Sequence, residues 1–107
     1  DTKGLLLTFK AKAGHTQEVE AFLRLANEVV NGEHNTNAWF AIRTGDGEYG
    51  IFDVFANNEG RFLHLVGQVP RELAKHAFGL LGSMPELEML NVQAEKIGSD
   101  AHQIVRH

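Results

Sequence analysis

A chain of 107 residues, 43% hydrophobic and 22% charged, has the size and balance of one ordinary soluble domain. Its net charge of −4 leaves no electrostatic footprint for nucleic acid, and its Lys and Arg residues form no cluster suited to an anionic membrane surface. The lack of cysteine excludes disulfides, thiolate catalysis and thiolate metal sites, and no apolar run approaches the ~20 residues of a transmembrane helix. The sequence opens on Asp1 rather than methionine, which reads as removal of a leader or tag. A cytoplasmic location is the simplest expectation, although a cysteine-free chain suits export equally.

In chain order, Gly4 to Lys12 reads as a strand, with Leu5, Leu7, Phe9 and Ala11 on one face by period-two spacing. Gly14-His15-Thr16 breaks it, and Thr16 suits an N-cap. Val19, Phe22, Leu23, Ala26, Val29 and Val30 repeat at three and four, which predicts an amphipathic helix over 16–31 that stops at Gly32. Asn37–Thr44 and Tyr49–Ala56 read as strands joined through Gly45-Asp46-Gly47, an antiparallel hairpin. After Asn57–Gly60 comes a second helical region in two segments. Phe62, Leu63, Leu65 and Val66 pack the first, Gly67 and Pro70 interrupt, and Leu73, Ala77, Leu80 and Leu81 carry the second to Gly82. Pro85 precedes a fourth strand, Leu87–Ile97, and residues 98–107 read as a polar tail.

Strand-helix-strand-strand-helix-strand is the split βαβ order of ferredoxin-like α+β folds, with a four-stranded antiparallel sheet over 1–97. Helices can cover only one face of such a sheet. The middle strands are nevertheless apolar on both sides: Trp39 and Ala41 alternate with Phe40 and Ile42, and Ile51 and Phe55 with Phe52 and Val54. The uncovered face is therefore expected to meet a second copy, giving a homodimer with sheets packed face to face.

The segment GDGEYGIFDVFANNEGRFLHL, with its aromatic strand ending in D-V-F-A and a histidine early in the next helix, resembles the antibiotic biosynthesis monooxygenase family. So does the closing PELEMLNVQAEKI. The resemblance covers about residues 4–97 and implies a dimeric α+β barrel. It also implies oxygenases that need neither metal nor flavin and act on electron-rich phenols or quinols. Others with this fold degrade haem, isomerise lactones or have no known reaction, so the fold alone does not fix the chemistry. The haem-degrading relatives carry an asparagine on the first strand, where this chain reads LLLTFKAK, which disfavours haem.

An oxygenase without a cofactor needs an apolar pocket, a base to ionise the substrate and donors to hold the anion. His64, sheltered by Phe62, Leu63 and Leu65, is the leading base candidate; the alternative is a helix histidine bonded to a strand. His76 is a second candidate, whereas His15, His34, His102 and His107 are expected to meet solvent. By alternation Asn37, Trp39 and Arg43 share a face and suit a planar ligand and its oxyanion, with Tyr49 as a further donor and Phe62 as a pocket wall. Packing in the dimer core is the commoner role for such a Trp, and a rim salt bridge for such an Arg. Asp53 is a charge on an apolar face and needs a partner, for which Arg43 and Arg61 are available. No HExxH, carboxylate-histidine spacing or phosphate loop is present, so neither metal nor cofactor is expected. The rival readings are a dimer that binds an aromatic metabolite without turnover, and a stress or scaffold dimer with a filled interior.

Overall fold

Period-two and period-three-to-four apolar spacing resolve into β1 (Lys3–Lys10), α1 (Thr16–Val30), β2 (Thr36–Gly45), β3 (Glu48–Phe55), α2 (Asn58–Leu65), α3 (Gln68–Leu80) and β4 (Glu86–Asn91). The computed structural model describes residues 2–97, the side chains of Ala77 and Phe78 excepted. The tail at 98–107, with His102 and His107, and the packing expected of Ala77 lie outside what is described. The strands form one antiparallel sheet in the order β2-β3-β1-β4, the ferredoxin-like arrangement.

α1 buries Val19, Leu23, Ala26 and Val30 on the sheet. Thr16 is its first helical residue, not its cap: His15 takes the cap position and spends its ring nitrogen on Glu18, 2.7 Å away. The second helical region divides as its glycine and proline require. α2 ends near Gly67, and Pro70 falls in the first turn of α3, where a missing N–H costs nothing. β4 stops at Asn91 rather than Ile97, opposite Lys3 at the start of β1; beyond that pair the Val92 N–H donates to the Thr2 carbonyl. Gly47 turns the β2–β3 hairpin with φ +67°, a conformation glycine adopts without strain.

Cross-strand pairing assigns the two faces. Phe9, Tyr49, Ile51, Phe55 and Leu5 lie beneath the helices and are all buried, Phe55 completely. The opposite face carries the row Phe40–Phe52–Leu6, flanked by Ile42 and by Val54. Val54 is buried, with Val92 close to its neighbour Gly4, but no helix covers the rest of this face among the described residues, and Phe40 and Ile42 remain 55% and 44% exposed.

One close approach positions the site. The Asn57 side chain accepts the Gly60 N–H at 2.9 Å and starts α2. A Cβ at Gly60 would stand 3.0 Å from the Asn35 carbonyl oxygen. Glycine therefore lets α2 settle onto the α1–β2 loop, four residues before His64 and on the same helix face.

Candidate active site

Asp53 lies in the helix-facing row Trp39–Asp53–Leu5 and is 2% exposed. A carboxylate so placed needs a partner, and the partner is not Arg43 or Arg61. Arg61 turns to the carbonyls of Gly4 and Leu90 and to the Asn58 side chain. Arg43 is exposed and pairs across the ladder with Tyr49. The partner is His64, whose Nε2 lies 2.9 Å from Asp53 Oδ2.

The other ring nitrogen is engaged as well. His64 Nδ1 lies 2.9 Å from Glu33 Oε1, and the Thr36 hydroxyl donates to the same Glu33 oxygen at 2.8 Å. One imidazole is thus held between two carboxylates, with the Phe55 ring 5.2 Å away. Burial works against a charged His64, but the hydrogen bonds and charges of Asp53 and Glu33 outweigh it and raise its pKa above the ordinary 6.5. Burial also raises the pKa of Asp53, against the opposing bond and charge of His64; Glu33 adds to the rise.

Asp53 and His64 line a cavity of about 330 Å³ between the sheet and the second helical region. Leu5, Leu7, Ile51, Val69, Leu73 and Leu87 make much of the remaining wall, with Trp39 at one side. Two buried polar atoms here lack partners: Asp53 Oδ1, an acceptor, and Trp39 Nε1, a donor. They belong to residues directly opposite each other on β3 and β2. Leaving such atoms unsatisfied costs ~1–3 kcal/mol each, which an occupant with a hydroxyl and an oxygen acceptor would recover.

The residues singled out from sequence are only partly brought together. His64 and Trp39 line the cavity. Trp39 also borders an open groove between α1 and β2, where Arg43 and Tyr49 lie with Glu20 and Arg24. The Tyr49 hydroxyl donates to Glu20 Oε2 at 2.6 Å, and that bond, burial and the Glu20 charge raise its pKa against the opposing charge of Arg43. Tyr49 is therefore committed to α1 rather than offered to the cavity. Asn37 is in neither space. It is the extra residue of a β-bulge, since Thr36 pairs with Phe55 and Ala38 with Val54, so simple alternation fails there. Phe62, two residues before His64, points away from the sheet and is 62% exposed. His76 is exposed on α3 beside Glu72, and His34 is exposed. Glu33 escaped the sequence reading; its one signal is an acidic residue held just past a helix-ending glycine. Glu33 and Asp53 address opposite nitrogens of one ring and so do not converge on a common metal position.

The pH dependence of stability follows from the sign of the His64 shift. A raised pKa means the folded state holds its proton more tightly, so this stabilisation is complete below about pH 6.5 and is lost as pH rises through the folded value. Asp53 acts with the same sign from its own ordinary value of 3.8 upward. Urea unfolding from pH 6 to pH 9 is expected to show declining stability, and His64→Gln to flatten the decline above about pH 6.5. An equally steep decline in the variant would contradict the assignment.

No protein-family model matches the chain, and no curated protein matches it. Among solved structures, the NE2512 protein of unknown function from Nitrosomonas europaea is 36% identical, with 92% of this chain and 95% of that chain covered and a TM-score of 0.88. A "putative antibiotic biosynthesis monooxygenase" from Deinococcus radiodurans is 14% identical over 90% of this chain and 96% of that one, at a TM-score of 0.76. A further structure named antibiotic biosynthesis monooxygenase is 10% identical, covers 86% and 99% of the two chains, and gives a TM-score of 0.75. With the fold of the antibiotic biosynthesis monooxygenases, as its sequence resemblance implied, the chain belongs to the same family as the NE2512 protein.

Proposed function

We propose that the protein is a cofactor-independent monooxygenase acting on a phenolic or quinol-type small molecule, and that it works in the cytoplasm as a homodimer. The observation that carries this reading is a buried carboxylate, Asp53, that lines an apolar cavity of about 330 Å³ and has one oxygen, Oδ1, without a partner among the described residues. That volume is at the lower end of the range of small-molecule sites and suits one or two fused rings. A filled scaffold interior would leave no such space.

The chemistry distributes as follows. The aromatic hydroxyl donates to Asp53 Oδ1, and Trp39 Nε1 donates to a second oxygen of the substrate. Asp53 takes the hydroxyl proton, because burial has already raised its affinity for one. His64 is not itself the base towards substrate, since both of its nitrogens are engaged; it fixes Asp53 through Oδ2. The electron-rich phenolate supplies the electrons for O₂. One oxygen atom enters the ring and the other leaves as water, so a phenol gives a quinone and a quinol gives a hydroxyquinone. The apolar walls keep bulk water from the reactive anion.

Oxygen-electrode measurements across hydroquinones, naphthols and anthrones test the activity. At least one class is expected to be turned over, and Asp53→Asn, which keeps an acceptor for His64 but removes the base, is expected to lower kcat by ~10²-fold or more. Tight binding of a phenol with no oxygen uptake by any class would favour a carrier, and uptake unaffected by Asp53→Asn would contradict the assigned base.

The dimer is proposed from the Phe40–Phe52–Leu6 row, which is apolar and exposed at Phe40 and Ile42. Sedimentation equilibrium is expected to give a dimer for the natural chain and a folded monomer for Phe40→Asp. A natural chain that stays monomeric at micromolar concentration would contradict it.

A further inference from the structure

The three bonded groups beside the cavity are graded in exposure. The side chain of Asp53 is 3% exposed, that of His64 5% and that of Glu33 25%. They come from three separate elements, β3, α2 and the α1–β2 loop, and are joined by contacts of 2.9 Å on opposite sides of one ring. Its α3 wall is Val69, Pro70, Leu73 and Ala74, and among the described residues Asp53 and His64 are the titratable ones that line it. Arg61, one turn earlier on α2, is held by backbone carbonyls and Asn58, and the ring of Phe55 closes another side of His64.

We infer that Asp53, His64 and Glu33 form a proton exit route, along which ionising an occupant's hydroxyl inside the cavity releases a proton to water at Glu33. The inference rests on the phenol-binding reading of the cavity and deepens it by giving Glu33 a part. Glu33 touches no substrate; it is a positioning and relay residue.

The steps balance. In the resting state Asp53 and Glu33 are carboxylates and His64 is an imidazolium, a combined charge of −1. The occupant's O–H bond breaks and a bond from that hydrogen to Asp53 Oδ1 forms. His64 then faces a neutral acid at Nε2 and loses the counter-charge that held its second proton. The Nδ1–H bond breaks, the proton passes to Glu33 Oε1, and Glu33 yields it to water. Asp53 and His64 are then neutral and Glu33 is again a carboxylate, so the triad still carries −1. The new negative charge resides on the occupant. One proton has left the cavity, the charge of the triad is unchanged, and the new anion is held by the hydrogen bond from protonated Asp53. The Thr36 hydroxyl, donating to the same Glu33 oxygen, keeps that oxygen aimed at the ring and stabilises it as a carboxylate between transfers.

The test uses 4-nitrophenol, a phenol whose ionised form is yellow, with the complete chain. Isothermal titration in buffers of differing ionisation enthalpy counts protons released, while absorbance counts dye ionised. In the natural chain the two are expected to match at about one proton per dye bound. In Glu33→Gln the bound dye is expected to remain largely ionised while release to buffer falls at least about five-fold, because the proton stays within the triad. Glu33→Asp, which restores an acid, is expected to restore most of the release. Asp53→Asn is expected to leave the bound dye colourless. A measurement on the natural chain needs no variant to fold: ¹⁵N NMR of His64 is expected to show Nδ1 losing its proton on dye binding while Nε2 keeps its own.

Undiminished proton release in Glu33→Gln, or a His64 that stays doubly protonated with ionised dye bound, would overturn the relay while leaving the cavity's phenol-binding role standing. Failure of the natural chain to bind or ionise the dye at millimolar concentration would overturn both. Oxygen uptake is a separate readout, so a carrier without oxygenase activity could still show the relay.

Discussion

An imidazole held between two carboxylates is the interaction on which the rest of this structure depends. His64 ties β3 to the α1–β2 loop through Asp53 and Glu33, and thereby fixes the position of α2 between them. A buried carboxylate alone would be strongly destabilising, and a buried imidazolium alone equally so. Together they are tolerated, and the second carboxylate tips the ring towards its charged form. Gly60 is part of the same construction, because a side chain there would press on the Asn35 carbonyl and lift the helix that carries His64.

That arrangement leaves the cavity with a particular chemical demand. Asp53 satisfies only Oδ2 through His64, so its other oxygen remains an acceptor, and Trp39 Nε1, on the residue opposite it in the ladder, is a donor also without a partner among the described residues. Protein interiors rarely leave such atoms unmatched. Here both belong to residues bordering an otherwise apolar space, which is the pattern of a site that completes its hydrogen bonds with a ligand. In the proposed reading a substrate hydroxyl would meet the acceptor and a second oxygen the donor. The open sheet face is a separate matter: its apolar row calls for burial, and the site needs nothing from it that the described residues do not supply.

Much of the fold was legible in the sequence because period and punctuation agree. The α1 stripe, the glycine-turned hairpin and the break at Gly67 and Pro70 all reflect local rules that tertiary packing did not override. Local rules failed where register or a distant partner decides. The bulge at Asn37 shifted that residue out of the row assigned to it, and nothing in one strand's own sequence marks an extra residue. β4 ended at the residue that pairs with the first residue of β1, a limit that β4's own pattern does not mark. In the site, His64 and the anomalous charge of Asp53 could be picked out, but their bond to each other could not. The formal opposites Arg43 and Arg61 were the available guesses for Asp53, whereas helix packing delivered a histidine from eleven residues on. Glu33 became visible only once the loop after α1 was seen beneath α2.

The most direct measurement of the central claim is a crystal structure of the protein with hydroquinone bound under anaerobic conditions. The account places the ligand in the cavity between sheet and second helical region, one hydroxyl within hydrogen-bond distance of Asp53 Oδ1 and a ligand oxygen within reach of Trp39 Nε1, with His64 Nε2 still bonded to Asp53 Oδ2. A ligand found instead in the Arg43–Tyr49 groove, or a cavity in which His64 has left Asp53 to meet the ligand itself, would contradict it.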